Sequence, residues 1–137
     1  IALVGHSYVL NDHYCSLDIY KKVKELGADY ITAEQMPREL IESQMNTLDA
    51  NLYFEFEREI LGTILYFLKK KTVDGIIHLM IFGCGPDSIA GEIASRMAKR
   101  YPKVPLLQLV FDDLTAEAGL RTRVEAFIDM LQRRADH

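Results

Sequence analysis

The 137-residue sequence predicts a doubly wound α/β fold, with a parallel four-stranded sheet of order 2-1-3-4 between two layers of helices. Three observations predict it. A short continuous apolar run, Ile1 to Val4, and the most apolar run of the sequence, Ile76 to Phe82, read as buried strands. The segments between strands carry large apolar residues three and four positions apart, the spacing of one helix face. Strand and helix patterns also alternate along the chain, which calls for parallel strands joined by right-handed crossovers.

Ile1-Ala-Leu-Val4 is the first strand and should be central, ending in Gly5-His6. After a loop from Ser7 to Tyr14, Ile19, Tyr20, Val23 and Leu26 mark the first helix, with Gly27 as its stop. Ala28 to Thr32 is a second, weaker strand with polar neighbours, as expected nearer a sheet edge. Pro37 opens a short helical piece through Met45, and Leu52 to Lys71 forms a longer helix with Leu61, Ile64, Leu65 and Leu68 on its buried stripe. Val73 to Phe82 is the third strand. A helix pattern follows from Ser88 to Arg100, with Ile89, Ile93 and Met97 at four-residue spacing. Val104 to Phe111 is the fourth strand, where Pro105 is tolerable at a strand start or edge. Leu120, Val124, Phe127 and Leu131 mark the last helix.

Composition narrows the function classes. A hydrophobic content of 49% suits one layered α/β domain spanning residues 1–137. The net charge of −4 and scattered cations argue against a nucleic-acid partner. Lys69-Lys70-Lys71 and Arg133-Arg134 fall at predicted helix ends, where cations complement the dipole. No run has the length of a membrane span and no signal-peptide pattern opens the chain, so no membrane contact and a cytoplasmic setting are expected. Two distant cysteines, Cys15 and Cys84, fit a reducing compartment. Because the chain starts at Ile1, already inside a strand pattern, it reads as a segment of a longer, multi-lobed protein.

In an open parallel sheet, ligands bind outside the C-terminal strand ends where the winding reverses, here between strands one and three. The residues expected at this rim are Gly5, His6, Ser7 and Tyr8, then Gly83 to Ser88, then Asp112 and Asp113. Gly83-Cys84-Gly85 is the most informative of these groups. The flanking glycines allow a turn at positive φ and close approach by a bulky group. Pro86 with Asp87 or Ser88 suits a helix start, whose dipole favours thiolate over thiol. A small buried hydrophobe is the competing reading of such a cysteine. Cys15, before the first helix, reads as packing, while His6, His13 and His78 read as hydrogen-bonded structural groups. Asp112 and Asp113 alternate in direction along a strand and do not easily serve one centre. There is no GxGxxG, P-loop, nucleophile elbow, CxxC or HExxH. A lone cysteine cannot hold a cluster, so any further ligands to a Cys84-bound cluster lie outside this segment.

Three blocks, Ile1-Ala-Leu-Val-Gly-His-Ser-Tyr8, Phe82-Gly-Cys-Gly-Pro-Asp-Ser88, and Leu107 to Asp113 with Glu117-Ala-Gly-Leu-Arg-Thr-Arg123 and Glu125-Ala-Phe127, carry a resemblance. Together they resemble the C-terminal lobe of the 2-hydroxyacyl-CoA dehydratase D-component and benzoyl-CoA reductase family, with its activase-associated and double-cubane-cluster relatives. The resemblance implies a flavodoxin-like three-layer sandwich and a parent protein of several lobes with an iron–sulfur cluster, such as a 4Fe-4S cluster, between them. It makes Cys84 the ligand contributed by this lobe, with Gly83 and Gly85 leaving room for the inorganic core. It also implies an ATP-dependent activator protein as electron donor, an acyl-CoA or similar substrate, anaerobic low-potential electron transfer, and little activity for the segment alone. Asp112-Asp113 stands where the family often has Asp-Glu, and the chain lacks the tryptophan usual near Tyr53-Phe54, so the substrate is left open.

The alternative from another class is a non-enzymatic flavodoxin-like assembly module without a cofactor. In that reading Tyr53, Phe54 and Phe56, more aromatic groups than one buried stripe needs, pack against another domain or form a homodimer. Flavin binding at the rim is not expected, given the short loops.

Overall fold

The structure, a computed structural model, describes residues 1–5, 19–32, 35–45, 55–81, 85–111 and 117–135. Its strands are β1 (Ala2–Val4), β2 (Ile31–Thr32), β3 (Ile76–Ile81) and β4 (Leu106–Phe111). Its described helices are α1 (Ile19–Glu25), α2 (Arg38–Met45), α3 (Glu55–Lys70), α4 (Gly85–Arg100) and α5 (Glu117–Ala135). All strand pairs are parallel and the order is β2-β1-β3-β4, as the alternation of patterns predicts.

Side-chain alternation along the strands divides the core in two. Ala2, Val4 and Ile76 face the layer of α3 and α4, where they meet Ile60, Ile64, Leu68, Ala90, Ala94 and Met97. Leu3, Ile77, Leu79, Leu109 and Phe111 face the other layer, packing on Ile19 and Val23 of α1 and on Leu120, Val124, Phe127 and Leu131 of α5. Burying each of the large aliphatic groups contributes roughly 1.5–3 kcal/mol, so these two slabs dominate what favours the fold. Helix α2 packs tightly on α3: a Cβ on Gly62 would come 2.6 Å from Ile41 Cγ2. Arg58 of α3 also bonds Glu42 of α2 at 3.0 Å.

Several element boundaries differ from the sequence expectation because backbone groups go to caps and turns. Residues 28–30 were expected in the second strand. Instead Ala28 N donates to Val23 O at 3.1 Å, closing the end of α1, and ladder bonding begins with Ile31 N to Ile1 O at 2.9 Å. Val73 to Gly75 precede β3, and Gly75 is pressed so closely on α5 that a Cβ there would meet Leu131 Cδ1 at 2.8 Å and Phe127 Cζ at 2.9 Å. Pro105 has no N–H to give the ladder, so β4 starts at Leu106 while the Pro105 carbonyl accepts from Ile76 N at 2.9 Å. Helix α4 begins at Gly85, three residues earlier than the expected start at Ser88. Proline is tolerated there because the first turn has no intrahelical use for its N–H.

Candidate functional site

The winding reverses between β1 and β3: β2 lies to one side of β1, whereas β3 and β4 lie to the other. The crossover helix leaving β1, α1, packs on one face, and α4, leaving β3, packs on the opposite face. In open parallel sheets, ligands bind outside the C-terminal strand ends at this point of reversal. The end of β1 is packed tightly there. Gly5, just past β1, is buried, and a Cβ there would lie 2.9 Å from Leu79 O and 3.2 Å from Leu79 Cβ. A glycine therefore lets the end of β1 sit directly against β3.

On the β3 side, the last strand residue is Ile81 and the first helical residue is Gly85. Cys84 is bonded to Gly85, so the cysteine immediately precedes a 16-residue helix in the chain. The first N–H groups of such a helix lack intrahelical acceptors and carry the positive end of its dipole. Gly85 is exposed, and a Cβ there would meet no atom of the described residues within 4 Å. The positive φ expected at this glycine is not found. Gly85 takes a helical conformation, and among the described glycines Gly27 is the one with positive φ, at 85°.

Other expected site residues fall differently. His6, Ser7, Tyr8, His13, Cys15, Gly83, Cys84, Asp112 and Asp113 lie outside the described residues, as do Tyr53 and Phe54. His78 is fully buried in the middle of β3, level with Val4 and Gln108 on the neighbouring strands, and is a core residue. Gln108 shares its face and donates from Nε2 to Gly91 O of α4 at 2.8 Å, tying the edge strand to the helix that starts at the rim. Among the described residues no group of three or more His, Cys, Asp or Glu side chains is placed to hold a metal ion.

The sequence reading missed one surface feature. Ile89 was expected on the buried stripe of its helix, yet it is 56% exposed. The buried face of α4 is instead Ala90, Gly91, Ala94 and Met97, with Ile93 half-buried. A Cβ on Gly91 would lie 2.5 Å from Met80 Sδ, so the helix approaches β3 more closely than large side chains allow. The signal was present in the small residues Ala90, Gly91 and Ala94, which permit that approach. Near the same end of the sheet, Val110 of β4 is 49% exposed.

No helix among the described residues is long and apolar enough to cross a membrane. The search of curated proteins finds no match to this chain. The family model described as 2-hydroxyglutaryl-CoA dehydratase, D-component, matches residues 4–131 and so covers most of both core slabs and the junction between β3 and α4. With that match over most of its length, the chain belongs to the 2-hydroxyglutaryl-CoA dehydratase D-component family.

Proposed function

We propose that this chain is one lobe of a dehydratase-family protein and that Cys84 supplies one thiolate to an iron–sulfur cluster shared with other parts of the assembly. The observation that carries this reading is the junction after β3. In the chain Cys84 directly precedes Gly85, the first residue of α4, which follows the strand beside the winding reversal, and Gly85 is exposed with free space among the described residues where a side chain would be. Family membership supports it, because this family is generally linked to an iron–sulfur cluster and to a dehydratase of several components.

The donor chemistry fits a single contributed ligand. Iron–sulfur clusters take several protein ligands, mostly thiolates, whereas this chain has two cysteines far apart in sequence. The remaining ligands therefore come from other lobes or subunits. When bound, the cluster supplies one-electron, low-potential transfer to an acyl-CoA or similar substrate. This chain's own residues do three things. The α4 N-terminus holds Cys84 in its anionic form, Gly83 and Gly85 keep its flanks clear, and Gly5 lets the end of β1 sit against β3. An ATP-dependent activator protein is the proposed electron donor, in an anaerobic, cytoplasmic setting, and the segment by itself is inactive.

The test is iron and acid-labile sulfide in the anaerobically purified full-length protein, with and without Cys84→Ser. Loss of both from the variant is the expected result. An unchanged content in a folded variant would overturn the assignment.

A further inference from the structure

Strand β4 is the outer strand of the sheet, and among the described residues nothing pairs with its free edge. Its hydrogen-bonding pattern follows from the register. Ile76 N donates to Pro105 O, with Ile76 opposite Leu106, so the odd-numbered residues of β4 turn their main-chain groups toward β3. Leu106, Gln108 and Val110 turn theirs outward. Arg123 of α5 confirms that direction by reaching round the edge and donating to Gln108 O at 3.1 Å.

This edge lacks the usual protections within the strand. Leu106–Phe111 reads Leu-Leu-Gln-Leu-Val-Phe, six residues with no charge and no proline, and half-buried or exposed apolar groups at Leu106, Leu107 and Val110. An uncharged apolar edge of this length is a template for another strand. Beside it, on the α4 side, runs a groove of about 360 Å³ lined by Ser95, Ala98, Lys99, Val104, Leu106 and Gln108. The edge is bordered by cations although the whole chain carries a net charge of −4. Lys99 lines the groove, Lys103 precedes the strand, and Arg134 donates to Lys103 O at 3.2 Å. Lys99, Lys103, Arg123 and Arg134 are all exposed, and none has a carboxylate partner among the described residues.

We propose that the β4 edge is a docking site for an extended acidic segment of a partner protein, which adds to the sheet as a fifth strand. Its main chain bonds Leu106, Gln108 and Val110, an apolar side chain enters the groove between β4 and α4, and its carboxylates meet Lys99, Lys103, Arg123 and Arg134. Arg123 then exchanges the Gln108 carbonyl for a carboxylate, a stronger, charge-assisted partner. Charge selects this occupant over a second copy of the chain, because pairing two β4 edges across a two-fold axis brings the same cations together.

A fluorescein-labelled peptide of alternating Glu and Val, eight residues long, tests this by fluorescence anisotropy together with amide exchange on the full-length protein. The expected result is saturable binding that weakens at least tenfold in Lys99→Glu/Lys103→Glu and with added salt. Slowed exchange should appear at Leu106, Gln108 and Val110. Equal binding of a Lys/Val peptide, or binding without protection at those three amides, would overturn the proposal. So would protection of the same amides by self-association in the absence of peptide. The double variant changes only exposed groups, and its circular dichroism checks that it is folded. None of these readouts involves Cys84 or a cluster.

Discussion

Gly5 has no room for a side chain. The Leu79 carbonyl would stand 2.9 Å from its Cβ, and that carbonyl belongs to a central strand that cannot swing aside. Gly5→Ala is expected to lower stability by about 1–3 kcal/mol, as forced overpacking does, measured as a lower urea midpoint. At the opposite end of the sheet, Lys24 bonds Asp29 and lies 5.6 Å from the centre of the Tyr30 ring, which stacks on Tyr20 at 4.7 Å. The hydrogen bond from Lys24, and then its charge, hold the Asp29 carboxyl below its usual 3.8, while the same bond, and then the Asp29 charge, raise Lys24 above 10.5. A depressed carboxyl adds stability above its unfolded value and loses it as pH falls through the folded one. A raised ammonium adds stability below its unfolded value and loses it as pH rises through the folded one. The pair therefore supports the fold fully only between those limits, weakly because both groups are exposed, and less in high salt. In an NMR titration, Lys24→Met should return the Asp29 carboxyl toward 3.8; an unmoved carboxyl would show that another group lowers it.

Helix ends show what could and could not be read in the chain. Gly27 after Leu26 announces the end of α1, and its φ of 85° is the left-handed value that a glycine stop supplies. Lys71 ends α3 with a φ of 57°, its N–H donating to Phe67 O at 2.9 Å, and the run Lys69-Lys70-Lys71 signalled only cations at a helix terminus. Left-handed backbone costs a residue with a Cβ roughly 1–2 kcal/mol. Gly27→Ala should thus lower the melting temperature and Lys71→Gly should raise it, with each change on the order of 1 kcal/mol; shifts of the same sign would contradict this pairing. Strand existence was legible from the apolar runs, whereas strand limits were not. Whether Ala28 caps a helix or joins a ladder is decided by where its N–H points, and its side chain carries no trace of that choice. The buried face of α4 was misread for a related reason. Counting large residues placed Ile89 inside, when close packing at Ala90, Gly91 and Ala94 turns it outward.

At the scale of the whole molecule, the alternation of strand and helix patterns was enough to give the order β2-β1-β3-β4 and hence the point where the winding reverses. The β4 edge was not legible, because its significance depends on which main-chain groups face outward and on Arg123 and Arg134 arriving from a helix distant in sequence. The candidate site was legible in part. An open glycine at the start of α4 follows from Gly-Cys-Gly-Pro, but the role of Cys84 rested on resemblance, since a shared centre draws its other ligands from outside the chain. The central claim is that this cysteine, and not Cys15, holds iron. The most direct measurement compares Cys84→Ser with Cys15→Ser in the anaerobic full-length protein, by iron and sulfide content and by low-temperature EPR of the reduced form. Loss of iron, sulfide and signal in Cys84→Ser with retention in Cys15→Ser is the predicted result. A full cluster in Cys84→Ser, or its loss in Cys15→Ser alone, would contradict it.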